Sequence, residues 1–272
     1  MLRVSRLMRG PLVARATTVG ASRSRQLLVA SASAAAAASA VAASTDCLSS
    51  APPKVHMNYF EVQGVVETLR HVMALGGIEW TEEKWPVDFS KFAKEGIRGA
   101  APAFAKAQED GTLDANLLRA PVCIIDGQPG LGQSKALERY MARRLGLMGS
   151  TEMEAAQIDA VTEHVRDIKD KYQKAKGDKE TKAKFFATEM PEFMQKMEKA
   201  VKLLPGSGPA LVGSGLSLAD VSLYVFLVDF FTDKADAMAS IDKCPRLKAS
   251  VSAVAADPKI TKYRATRTAK PT

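Results

Sequence analysis

The chain has 272 residues, 46% hydrophobic and 25% charged, with three cysteines and a formal net charge of +8. That composition is globular and excludes a disordered chain, a collagen-like repeat and a disulfide scaffold. The charge is lopsided: six arginines fall between Arg3 and Arg25, no acidic residue precedes Asp46, and the rest carries 32 basic against 29 acidic side chains, about +3, so nothing points to nucleic acid as a partner.

Residues 1–50 are rich in Arg, Ser and Ala and poor in acid, the composition of an organelle transit peptide, which builds no core of its own. The expected destination is the mitochondrion. A plastid is the alternative, because residue 27 onwards can serve as an apolar core ending in small residues. The uncharged run at residues 27–44 approaches the length of a membrane span but is mostly Ala and Ser, so it reads as the tail of the leader and no membrane span is expected.

From residue 54 the pattern changes. "KVHMNYF" reads as a strand. "VVETLRHVMALGG" puts Val66, Leu69 and Val72/Met73 on one helical face and stops at Gly76–Gly77. "IEWTEEKW" predicts a second strand, followed by a long irregular stretch. "PVCIIDG" is a short β-branched run closed by Asp-Gly, a hairpin signal. "SKALERYMARRLG" is a helix with Leu137, Tyr140/Met141 and Leu145 on one face. Residues 54–146 thus form a small α/β domain. Residues 151–272 are expected to be almost wholly helical. Thr151 and Glu154 make a capping box; Pro191 suits the first turn of a new helix; Ser217 and Asp220 cap "VSLYVFLVDFF", which is apolar nearly all round and therefore a buried core helix.

Several chemistries are excluded by spacing. Cys47, Cys123 and Cys244 form no C-x-x-C, and His56, His71 and His164 stand at no ligand spacing, so no metal site is expected. Gly127-x-x-x-x-Gly132 is followed by Gln133-Ser134 where a phosphate loop needs Lys and then Ser or Thr, and Lys135 falls out of register. The same stretch suits a peptide better. Pro121 tolerates a cis bond, which would turn the N–H and C=O of Ala120 outward to pair with an extended peptide. Gln133 and Ser134 at a helix N-terminus suit a carboxylate.

Residues 55–264 resemble the cytosolic-type glutathione transferases, nearest the tyrosine classes such as sigma. "APVCIIDG" is similar to the family's cis-proline strand, "LGQSKALERYMARRLGLMG" to its glutamyl-binding turn and helix, and "GSGLSLADVSLYVFLVDFF" to its capped core helix. "CPRLKASVSAVAADPKITKY" and Asn58 to Arg70 match later and earlier segments in the right order. The resemblance implies a thioredoxin-like N-terminal domain followed by an α-helical C-terminal domain, a homodimer, glutathione as co-substrate and a small electrophile as second substrate. It implies that Gln133 and Ser134 hold the γ-glutamyl group, that Ala120 and the cis Pro121 pair with the cysteinyl unit, and that Tyr59 donates its hydroxyl to the thiol. Trp85 and Lys91 would hold the glycine end, and Asp159 would reach the partner's glutathione. A phenol hydrogen bond to sulfur favours the thiolate, the form that attacks an electrophile or peroxide.

Three departures qualify the match. Glu61, Val62 and Gln63 stand where an arginine would help lower the thiol pKa. The segment to Pro121 is longer than usual, with an insertion at residues 96–120. The acceptor pocket has no fixed pattern. These support a second reading, a binding or structural protein that keeps the fold without turnover, including a subunit of an organelle complex.

Overall fold

The computed structural model describes residues 51–267; the expected leader, residues 1–50 with Cys47, lies outside the described residues. Four strands, β1 (Val55–Phe60), β2 (Trp80–Trp85), β3 (Val122–Ile125) and β4 (Leu131–Gly132), form one sheet in the order β2-β1-β3-β4. β1 and β2 are parallel and joined by the helix α1 (Glu67–Gly76); β3 is antiparallel to both β1 and β4. α1 stops where expected. Gly77 takes the left-handed conformation at φ 72°, which lets its N–H and that of Ile78 satisfy the last carbonyls of the helix. The Asp-Gly turn also forms, with Asp126 at φ 52° and Gly127 at φ 71°.

The long irregular stretch is corrected by the structure. It holds two helices, α2 (Phe89–Ala100) and α3 (Pro102–Glu109), and a 3-10 turn at Asp114–Asn116. α2 starts at Asp88, whose Oδ1 accepts the Ser90 N–H at 3.0 Å, and it is kinked at Gly96. Only Ala100 of α2 is buried, so the segment carries no core-facing period for a pattern to show. α3 supplies Phe104, which joins Trp85, Leu113 and Val122 in a small second core.

The helix α4 (Ser134–Arg144) closes the first half. The second half contains α5 (Glu152–Ala175), α6 (Lys179–Lys184), α7 (Met190–Val201), α8 (Leu218–Val225), α9 (Lys234–Ala239), α10 (Pro245–Ala256) and α11 (Pro258–Thr266). α6 runs into α7 through a π-helical turn at Phe185–Glu189, so Pro191 follows a continuous helical run instead of opening a new helix. Its missing N–H falls at that junction, where the i−4 register is already broken. α8 likewise continues through a π-helical turn at Phe226–Phe230.

Every residue of α8 is buried. The helix packs on α1, α4, α5 and α10, so one core runs through both halves, from Leu69 and Met73 through Met141 to Ile158 and Leu223. Its N-terminus is held by Asp220, a fully buried carboxylate. Oδ2 accepts from the N–H and hydroxyl of Ser217 at 2.9 and 2.7 Å, and Oδ1 from Leu211 N–H and Ser250 Oγ at 2.9 and 2.7 Å. One side chain thus caps α8 and ties it to α10 and to the loop before it. Asp220→Ala strands four buried donors and should cost about 3–5 kcal/mol, lowering the thermal midpoint by about 10 °C in scanning calorimetry. A midpoint within about 2 °C of the parent would contradict the capping account.

Candidate active site

The register of the sheet gathers three segments at one end. Tyr59 lies near the end of β1, Ala120 two residues before Val122, which pairs with Asn58, and Gln133–Ser134 directly after Gly132, which pairs with Val122. The Ala120–Pro121 peptide is cis. Neither the N–H nor the C=O of Ala120 has a partner among the described residues, while the Pro121 carbonyl accepts from Nδ2 of the buried Asn116 at 3.0 Å. Ser134 is half-buried as the first residue of α4; Gln133 precedes it, exposed and at φ 66°.

Tyr59 is buried, with 6% of its surface exposed. Its hydroxyl accepts a hydrogen bond from the Val65 N–H at 3.2 Å. Gly64, at φ 51°, allows this: a Cβ there would stand 2.5 Å from the Tyr59 Oη. Burial raises the phenol pKa, and the Val65 N–H and the Arg70 charge only partly offset it, so the group stays protonated. Its own proton is therefore available to donate. The Arg70 guanidinium lies 6.0 Å from the Tyr59 ring centroid, so positive charge stands behind the tyrosine although position 63 is Gln.

A cleft of about 590 Å³ opens beside that hydroxyl. Tyr59, Gln63, Gly64, Ser134 and Lys135 line one side; Val165, Lys169, Tyr172, Phe226 and Phe230 line the other. A larger cleft, about 850 Å³, lies between α1, β2 and α11 and contains neither Tyr59 nor Ser134. The smaller cleft is the better candidate, because it combines a hydroxyl donor, a helix N-terminus and an aromatic wall.

The remaining expected residues lie elsewhere. Trp85 is 3% exposed and packs edge-on to Phe60 in the second core. Lys91 is exposed on α2, 3.8 Å from Asp88. Asp159 on α5 pairs with Arg139 at 2.8 Å and approaches Arg143 at 3.9 Å. None of the three lines the cleft, and neither do Ala120, Pro121 and Gln133; of the expected residues Tyr59 and Ser134 do. Glu67, His71 and Asp229 come within 4.8 Å of one another, a spacing that could hold a metal ion. Both carboxylates are already matched by guanidinium groups: Glu67 by Arg70 and Arg267, Asp229 by Arg264 and Arg267. His71 is kept neutral by burial, and its Nδ1 lies 2.9 Å from the Glu67 carbonyl, which requires the proton on that nitrogen. The cluster is an ion network joining α1 to the helical half. Burial pushes the Cys123 thiol up to about 12 and also raises Cys244, so neither supplies a reactive thiolate.

The sequence reading missed Gly64 and the Val65 N–H, which act through the backbone, and Lys169, which no motif marks. Gly64 alone left a trace, as a glycine just after the strand that bears the tyrosine.

Comparison with known proteins agrees with this arrangement. The family model described as "Glutathione S-transferase, C-terminal domain" matches residues 161–267. A glutathione S-transferase of Dirofilaria immitis is 26% identical over 216 residues, covering 78% of this chain and 93% of that protein. Glutathione S-transferase P of Homo sapiens is 28% identical over 221 residues, covering 78% and 92%. Among solved structures, a monomeric glutathione S-transferase of the hookworm Necator americanus superposes with a TM-score of 0.65 at 22% identity, covering 80% of this chain and all of that one. With the mixed sheet, the cis-proline edge and the capped core helix, these matches make the chain similar to the glutathione S-transferases over 78% of its length.

Proposed function

We propose that this chain is a glutathione transferase in which Tyr59 stabilises the thiolate of bound glutathione for attack on a small electrophile. One observation carries the reading. The Tyr59 hydroxyl accepts from the Val65 N–H and so keeps its own proton for a partner in the cleft. A free thiol titrates at about 8.5. A hydrogen bond from a neutral phenol to sulfur favours the charged form and lowers that pKa. Attack then forms a C–S bond, and the electron pair of the electrophile moves to its leaving group or, in an activated alkene, to the neighbouring carbon, which takes up a proton.

The rest of the site suits the tripeptide. The free N–H and C=O of Ala120 can pair with its backbone as an added strand does. The N-terminus of α4, with the Ser134 hydroxyl and Gln133 beside it, suits the γ-glutamyl carboxylate. Trp85 and Lys91, for the glycine end, and Asp159, for the partner's glutathione, stay in the proposal; like Ala120 and Gln133 they do not line this cleft.

Tyr59→Phe should lower kcat/KM at least about tenfold with glutathione and 1-chloro-2,4-dinitrobenzene, the equivalent of one pKa unit on the thiol. The KM for glutathione should change little, because the ring stays packed and the contacts at Ala120 and Ser134 remain. Unchanged turnover in the variant would remove Tyr59 from the mechanism; no turnover in the parent would favour the binding-protein reading. Gln133→Ala and Ser134→Ala should each weaken glutathione binding about ten- to a hundredfold in calorimetry with the thermal midpoint preserved, since each removes a hydrogen bond to a charged group. Equal affinities would move the glutamyl site elsewhere.

The proposal extends to location and assembly. The leader would deliver the protein to mitochondria, with plastids as the alternative, and the mature chain would form a homodimer through a face that includes Leu117, 78% exposed after the Asp114–Asn116 turn of the insertion. A fluorescent fusion of residues 1–50 that stays in the cytosol, or a monomer in sedimentation of the mature chain, would contradict those two parts separately.

A further inference from the structure

We propose that the helical wall of the cleft carries an anion site at Lys169, so that the preferred acceptor is an apolar electrophile bearing a carboxylate. The inference rests on reading this cleft as the acceptor site of the transferase. It starts from how the charges around the cleft are already used. Lys135 pairs with the buried Glu138 at 2.8 Å, and Arg166 with Glu163 at 2.6 Å. Of the three acids that line the cleft, Glu67 and Asp229 are committed to guanidinium groups, and Asp170 makes no ion pair within 4.0 Å among the described residues. Lys169 differs from these cations. No carboxylate of the described residues lies within 4.0 Å of its Nζ, although Asp170 adjoins it in sequence.

Its position is nonetheless fixed. Nζ sits 4.3 Å from the centroid of the Phe230 ring, a cation–π contact. Phe230 is brought there by the π-helical turn at Phe226–Phe230. Val165, Tyr172 and Phe226 complete an apolar wall around the ammonium. A half-buried cation on an aromatic face, with no carboxylate of the described residues within 4.0 Å, attracts an anion, because the low dielectric that penalises the charge strengthens its pairing. The charge is indeed penalised: burial, then the charge of Lys135, push the Lys169 pKa down to about 8, with Glu138 and Asp170 pulling the other way. At neutral pH the group is still mostly protonated, and an incoming carboxylate would hold it so. The neighbouring apolar surface would accept the body of the electrophile, while Tyr59 lies across the same cleft to serve the thiolate.

The test uses unreactive probes, so that binding is read apart from turnover. 4-(4-Carboxyphenyl)butan-2-one and its methyl ester differ only in the charge. Their affinities are measured by calorimetry on the full chain at pH 7, with S-methylglutathione saturating the tripeptide site. The acid should bind at least about tenfold more tightly than the ester, the size of one charge-assisted contact. Lys169→Met should bring the ratio to within about twofold, and Lys169→Arg should keep most of it. The proposal is overturned by equal binding of acid and ester in the parent. It is equally overturned by a preference that survives Lys169→Met, or by an acid that competes with S-methylglutathione, which would assign the anion to the tripeptide site. Turnover of the corresponding unsaturated ketones with glutathione, a separate arm, decides the transferase reading. Equal turnover of acid and ester keeps that reading and counts against the anion site; an acid preference in binding with no turnover of either does the reverse.

Discussion

Arg70 is the residue on which the geometry of the site depends. It is 6% exposed and uses its whole guanidinium fork. Nε and Nη2 make a bidentate pair with Glu82 of β2 at 2.9 and 2.8 Å. Nη1 donates to the carbonyls of Val62 and Gln63 at 2.9 and 3.3 Å and to Glu67 at 3.3 Å. Burial works against such a charge, and the hydrogen bond and charge of Glu82 more than offset it. A buried ion pair adds little net stability, but loss of one partner strands the other. What this one provides is position. It fixes the loop between β1 and α1, and that loop lays Gly64 and the Val65 N–H over the Tyr59 hydroxyl.

The same network carries the constraint across the molecule. Glu67 accepts from Tyr263 at 3.0 Å and pairs with Arg267, and Arg264 and Arg267 both hold Asp229 at the end of α8. Asp229 and Phe230 are neighbours on one π-helical turn, one committed to the network and the other to the cleft wall. The tyrosine side and the aromatic side of the cleft are therefore held by one connected set of charges. At the other end of α8, Asp220 fixes the helix start through four hydrogen bonds. α8 is thus pinned at both ends, which sets the cleft between the sheet and α5.

Much of this was legible in the sequence because the signals were local. The Gly77 stop, the Asp126–Gly127 turn, the proline that proved cis and the Ser217–Asp220 box each rest on residues a few positions apart, where backbone chemistry decides the outcome. α2 and α3 were not legible, since α2 buries almost nothing and Gly96 and Gly99 lower its helical propensity. The π-helical turns have no composition signal at all. The site divides in the same way. Tyr59, Gln133, Ser134 and Ala120 came from a matched order of segments, and the sheet register brings them to one end. Trp85, Lys91 and Asp159 were placed by looser alignment, and tertiary packing put them in a small core, on an exposed helix and in an arginine pair. The positive charge behind the tyrosine was sought at position 63 and stands at position 70, one helical turn into α1 and visible only once the chain folds back.

The central claim is that a neutral, buried Tyr59 donates to sulfur. It is tested most directly by the ultraviolet absorbance of the thiolate of bound glutathione as a function of pH, read in the parent and in the protein lacking the Tyr59 hydroxyl. The account predicts a bound thiol that titrates at least about one unit below its free value of about 8.5 in the parent, and near that value once the hydroxyl is gone. Identical titration curves in the two proteins would show that the hydroxyl does not meet the sulfur and would contradict the account.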